Sequence, residues 1–153
     1  MTIQKTLLFI GLISICLLGC KKSTSSVVPD DGKGTMSASI DGTDWSAVKI
    51  TLSIWTSSQL HIKGEASDGS LIQISIMGID GPGTYPVGAV SSTNIAMYRK
   101  NDDEAWSSGF LTPEGTINVE SLSTGGTKGT FSFIGTDAET EKTISNGKFD
   151  INF

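Results

Sequence analysis

From Thr35 to the end of the chain, apolar side chains recur at every second position, the period of a strand with one face in a core. Met36, Ala38 and Ile40 alternate with Ser37 and Ser39, and Ile50, Leu52 and Ile54 with Thr51, Ser53 and Trp55. Leu60 and Ile62 lie opposite Gln59, His61 and Lys63, and Ile72, Ile74 and Ile76 repeat the pattern. Ile95 with Met97, Ile117 with Val119 and Phe131 with Phe133 mark later strands; Phe149, Ile151 and Phe153 close the chain against Lys148, Asp150 and Asn152. Asp41-Gly42, Asp68-Gly69, Gly81-Pro82-Gly83, Asp102-Asp103-Glu104 and Gly125-Gly126 punctuate these runs as turns. The pattern predicts an all-β domain over residues 35–153, an antiparallel β-sandwich or flattened β-barrel of about eight to ten short strands. No helical period follows the first 20 residues.

Residues 1–34 break the pattern. One positive charge, Lys5, precedes an uncharged apolar run over residues 7–18. That run is too short to span a hydrocarbon core of about 30 Å and has the length of a signal-peptide apolar region. It ends in Leu17-Leu18-Gly19-Cys20, which closely resembles the lipobox of bacterial lipoproteins. The resemblance implies a leader over residues 1–19, diacylglycerol on the Cys20 sulfur, cleavage before Cys20 and acylation, as by palmitate, of the new amino terminus. Each buried methylene contributes about 0.8 kcal/mol, so several chains make a lasting anchor. Residues 20–34, rich in Ser, Asp, Gly and Pro without periodicity, read as a flexible tether. Lys21 follows the lipid-bearing position where an inner-membrane retention signal would want Asp, so the expected address is the outer membrane of a bacterial envelope.

Composition narrows the chemistry. The chain has 11 basic and 16 acidic residues, and loss of Lys5 with the leader takes the net charge from −5 to −6. Nothing offsets that balance with a dense basic patch, so nucleic acid is excluded as a partner. Both cysteines, Cys16 and Cys20, precede the β domain, which therefore has no disulfide, thiolate metal site or cysteine nucleophile.

His61, the only histidine, shares its strand parity with Gln59, Lys63 and Glu65 and so falls on a polar face, away from the role of a catalytic base. Asp102, Asp103 and Glu104 are adjacent and diverge, and the Asp residues from Asp41 to Asp44 are more economically read as turn formers than as calcium ligands. The Gly-rich segments lack the Gly-Lys-Ser/Thr ending of a phosphate loop. The expected inventory is thus no metal, no cofactor beyond the lipid on Cys20, and no enzyme activity.

The aromatic residues carry the one positive signal. Trp45 follows the Asp41-Gly42 turn and is expected to plug the core end. On regular strands Trp55 and Tyr98 fall opposite the apolar parity and would be exposed, with Trp106 just after an acidic turn. Exposed rings of this kind stack on sugars or anchor protein partners; a bulge or strand end would turn them inward instead.

Four segments resemble a family: Met36-Ser-Ala-Ser-Ile-Asp-Gly-Thr-Asp-Trp45, Gly81-Pro-Gly-Thr-Tyr85, Gly-Thr-Phe-Ser-Phe133 and Ser-Asn-Gly-Lys-Phe149. They are similar to the small uncharacterised lipoprotein domains common in Bacteroidota. The resemblance implies an all-β lipoprotein domain of unknown function and brings no catalytic residues. The expected function is a non-catalytic binding or accessory module for a glycan or protein, with Trp55, Tyr98 and Trp106 as candidate contacts. The competing expectations are a carboxylate-dependent envelope hydrolase and a structural lipoprotein without a specific ligand. Mass spectrometry of the mature amino terminus is expected to give an acylated peptide beginning at Cys20; a peptide beginning at Met1 with a free Cys20 thiol would refute the anchor.

Overall fold

The computed structural model describes residues 33–53, 58–88, 93–108, 115–137 and 139–153. The leader, Cys20, most of the tether, Ile54 and Trp55 lie outside the described residues. Eleven strands are formed: β1 (Lys33–Ile40), β2 (Thr43–Ser46), β3 (Lys49–Ser53), β4 (Gln59–Glu65), β5 (Leu71–Met77), β6 (Gly83–Val87), β7 (Ile95–Arg99), β8 (Ala105–Ser107), β9 (Gly115–Ser123), β10 (Gly126–Thr136) and β11 (Glu141–Asn152). The class is all-β as the alternation predicts, with eleven strands and no helix among the described residues.

All pairings are antiparallel, in the order β2-β1-β11-β10-β8-β7-β5-β4-β3, with β9 also on β10 and β6 on β9. The ladder is not closed into a barrel. Its two ends, β2 and β3, are nonetheless consecutive in the chain, separated only by Ala47 and Val48. Ala47 N–H donates to the Met36 carbonyl and Val48 N–H to the Glu65 carbonyl, so the chain leaves one half of the ladder and enters the other at once. This crossing lays β1 and β2 over β4. At Gly64 a Cβ would stand 2.7 Å from Met36 Sδ and 3.1 Å from Trp45 Cη2, which shows how closely the two halves meet. One cluster of buried side chains fills the space between them, with Phe149, Met36, Leu60, Ile62, Ile72, Ile74, Ile76 and Ile117 nearly inaccessible. The arrangement is β-sandwich-like.

Strand β11 sits between β1 and β10, and one irregularity in it governs the site described below. Its register with both neighbours shifts across residues 145–147, where Ser37/Ser39 and Phe131/Phe133 each face one residue more than they supply. Asn146 takes a left-handed φ of 52° there. The side chain of an added Cβ at Gly147 would lie 2.5 Å from Phe131 Cδ2, so only glycine fits against the ring. An extra residue inverts the alternation: Phe149 and Ile151 are inward, and before the bulge Ile144 is inward too.

Three sequence expectations are corrected. On β7 the inward residues are Ala96 and Tyr98, while Ile95 is 41 % exposed. Directly paired residues share a sheet face, and Tyr98 and Ala96 pair with inward Ile72 and Ile74. Trp106 pairs with Tyr98 and is carried inward with it, so neither ring is displayed on the outer sheet face. Phe153 lies beyond the last ladder pair and is 38 % exposed, since no neighbouring strand roofs it. Finally, β1 begins at Lys33, because Lys33 and Gly34 already pair with Asn152 and Ile151. Deleting residues 149–153 removes two core side chains and the shared partner of β1 and β10; loss of any cooperative thermal transition by near-ultraviolet circular dichroism is expected, and a surviving transition would show β11 to be peripheral.

Candidate functional site: a cleft between four turns

Four hairpin turns meet at one end of the sandwich: Asp41-Gly42 between β1 and β2, residues 66–70 between β4 and β5, residues 100–104 between β7 and β8, and residues 137–140 between β10 and β11. Three are held by an Asp or Asn that bonds the backbone of its own turn, whereas the Asp41 carboxylate accepts the Thr143 N–H of β11. Asp41 and Gly42, with φ of 48° and 83°, form the two-residue hairpin turn whose twist matches its strands. Asp68 Oδ1 accepts from Ser70 N–H at 2.9 Å and from Ser70 Oγ at 2.6 Å. Asn101 Oδ1 accepts the backbone N–H groups of Asp103 and Glu104, both at 2.9 Å. Asp137 Oδ1 accepts those of Glu139 at 3.1 Å and Thr140 at 2.7 Å.

Two of these turns are fastened to the core by tryptophan. Trp45 Nε1 donates to Ser70 Oγ at 2.9 Å, and the Ser70 hydroxyl donates in turn to Asp68 Oδ1. Trp106 Nε1 donates to Thr140 Oγ1 at 2.8 Å, and Thr140 in turn bonds both Asp137 oxygens at 3.0 Å. Tyr98 stacks on Trp106, with centroids 5.7 Å apart and planes 15° from parallel. Burial raises the Tyr98 pKa, reinforced by the negative charge of Asp68 and opposed by the charges of Lys100 and Lys142.

Between the turns lies a cleft of about 640 Å³. Its floor is the edge of the Trp45, Tyr98 and Trp106 group; its walls carry Asp41, Asp44, Asp68, Glu104, Asp137 and Glu141 with Lys100 and Lys142. Six carboxylates against two ammonium groups give a formal lining charge of −4. Both lysines are engaged, Lys142 with Asp41 Oδ2 at 2.7 Å and Lys100 with Glu104 Oε2 at 3.0 Å. Lys142 Nζ also stands 5.4 Å from the Trp106 ring centre, within cation–π range. The β11 bulge makes this possible, because it puts Lys142 on the same parity as inward Ile144.

The electrostatics follow from those bonds. The Lys142 side chain and then the Thr143 N–H hold the Asp41 pKa down, and Asp41 raises that of Lys142. Asp68 is lowered by Ser70, Glu104 by Lys100 and Asn101, and Asp137 by the Thr140 and Glu139 backbone. These four are therefore ionised at neutral pH. Asp44 and Glu141 are exposed and carry no ion pair among the described residues.

Of the residues singled out by sequence, Tyr98 and Trp106 do come together in the cleft floor, but at 8 % and 4 % exposure they present edges and no free ring face. Trp55 falls outside the described residues. His61 is half-buried on the outer face of β4, with Nδ1 2.8 Å from Ser75 Oγ, and burial followed by the Lys63 charge lowers its pKa. Among the described residues no carboxylate bonds His61, and no three His, Cys, Asp or Glu side chains form a metal-binding group. Sequence reading missed Asp68, Asp137, Glu141 and Lys142 as neighbours. Asp-x-Ser and Asp-x-x-Thr at the turns, and Asn146-Gly147 inside a strand, were the available signals.

The fold and cleft define a β-sandwich-like domain with a concave polar site among its turns. The chain belongs to the DUF6252 family, whose model, described as a domain of unknown function, matches residues 32–150. No curated protein matches the chain, and no solved structure does.

Replacing Ser70 with Ala strands the Trp45 indole N–H and leaves Asp68 only the backbone N–H of position 70. A loss of about 1–3 kcal/mol in urea unfolding is expected, against at most about 0.5 kcal/mol for exposed Asp44→Asn. Equal small effects would show that Trp45 finds another acceptor.

Proposed function

We propose that this chain is a non-catalytic ligand-binding lipoprotein of the bacterial envelope, anchored through lipid on Cys20, whose turn-end cleft receives a glycan free of anionic groups. The cleft is the observation that carries the reading. Its volume falls in the range of small-ligand sites, about 300–1,000 Å³. Carboxylates, hydroxyls and ammonium groups line it together, offering both acceptors and donors to sugar hydroxyls. A lining charge of −4 in a concave surface repels phosphate, sulfate and uronate groups. Because Tyr98 and Trp106 show only edges, recognition rests on the polar rim, with Asp44 and Glu141 free to accept from a ligand.

The gathering of carboxylates gives the hydrolase reading a specific observation of its own, since glycosidases work with two acids. One of the pair must hold a proton near neutral pH, which requires a raised pKa. Asp41, Asp68, Glu104 and Asp137 are all displaced downward by hydrogen bonds, the opposite of what a general acid needs. Binding without turnover is the better account.

A glycan array probed with the mature domain tests this. Neutral or amino-sugar glycans are expected among the hits and anionic ones absent. Losing a charge-assisted hydrogen bond costs about 1.5–3 kcal/mol, so Asp44→Asn and Glu141→Gln should each weaken binding about tenfold or more without shifting the melting temperature. Hits confined to anionic glycans, or binding indifferent to both substitutions, would overturn the proposal. Buried Trp106 is not a suitable probe, because its removal would disturb the core.

A further inference from the structure

We infer that the cleft faces away from the bilayer that anchors the chain, so that its ligand lies across the aqueous gap and is not a headgroup of the same membrane. This rests on the anchored reading proposed above.

The argument is one of strand direction. Lys33, where the tether joins the domain, pairs with Asn152, and Asn152 pairs with Gly126, so the tether, the end of β11 and the β9–β10 turn share one pole. From that row β1 runs to Ile40 and β10 to Thr136, and there lie Asp41, Asp137, Thr140, Glu141 and Lys142 of the cleft. Seven to ten residue steps at about 3.3 Å separate the poles by about 23–33 Å. Only 13 residue steps separate Lys33 from Cys20, so the pole that carries Lys33 is held within about 45 Å of the anchored sulfur whatever the conformation between them. Turning the cleft to the bilayer would lift Lys33 by the full length of the domain, taking up about half or more of that reach. It would also press a lining of net charge −4 onto the negative surface potential typical of anionic bilayers. Reach and charge favour the same orientation.

Single cysteines placed at the poles read it directly. Glu139→Cys lies in an exposed turn of the cleft pole and Thr124→Cys in the exposed β9–β10 turn of the tether pole. The full-length lipidated protein, labelled with a donor dye at either site, is reconstituted in phosphatidylcholine–phosphatidylglycerol vesicles carrying a headgroup-linked acceptor. Transfer from position 124 is expected to exceed that from position 139 by about twofold or more, given the pole separation. Lys128→Cys and Asp103→Cys form a second pair, read in the same order, should either first substitution disturb folding. Equal or reversed transfer in protein that floats with the vesicles would overturn the orientation and leave the anchor standing. Failure to float, with no transfer from either site, would remove the anchored reading and this inference with it.

Discussion

An indole N–H buried at the end of a core has to find an acceptor, and in this fold two of them do so by reaching into turns. Trp45 and Trp106 are both under one-tenth exposed, and each donates to a turn hydroxyl, Ser70 or Thr140. An unsatisfied donor in that position costs about 1–3 kcal/mol, comparable to a sizeable share of a small domain's net stability. Each hydroxyl donates onward to a carboxylate that already holds its turn by backbone bonds. The core thus fixes the turns, and the turns fix the walls of the cleft. A domain with no disulfide gains rigidity at its cleft end in this way, without adding apolar area.

The second determinant is the extra residue in β11. Strands register their side chains with a period of two, and a single insertion exchanges the faces. Had the alternation set by Phe149 and Ile151 continued unbroken, Lys142 would point away from Trp106. The bulge at Asn146 and Gly147 returns it to the inner parity, where it meets the Asp41 carboxylate and the Trp106 ring together. It also falls close to where β10 passes from its pairing with β9 to its single bridge with β8, between Thr136 and Ser107. One irregularity therefore places a charge close to where β10 changes its partner.

The strands were legible because alternation is a local signal: Met36 and Ala38, Leu60 and Ile62, Ile72 to Ile76, Ile117 and Val119, and Phe131 and Phe133 all face the core as their spacing predicts. Parity failed on β7, where Ile95 and Met97 are the more hydrophobic pair but the neighbouring strand dictates the face. Ala96 is small enough to sit against Ile74, and Tyr98 brings its ring inward to stack on Trp106. The cleft was illegible for a different reason. Its walls come from turns up to about a hundred positions apart, as with Lys142 and Asp41, separated by 101 residues. Each turn reads correctly by itself as punctuation, but nothing local says that four of them converge.

Convergence also sorts the carboxylates by what each can still do. Asp41, Asp68, Glu104 and Asp137 spend acceptor capacity on the protein's own donors, and their lowered pKa values record it. Substituting any of them would disturb a turn before it disturbed a ligand. Asp44 and Glu141 stand on strand ends whose backbone is held by the ladder, Asp44 opposite Ser39 and Glu141 opposite Thr136. Their side chains are exposed and free of ion pairs among the described residues, so their acceptors remain available to a ligand. Under the proposed binding role, positions 44 and 141 can vary between relatives while the Trp–Ser–Asp and Trp–Thr–Asp links stay, because neither of those two carboxylates holds a turn.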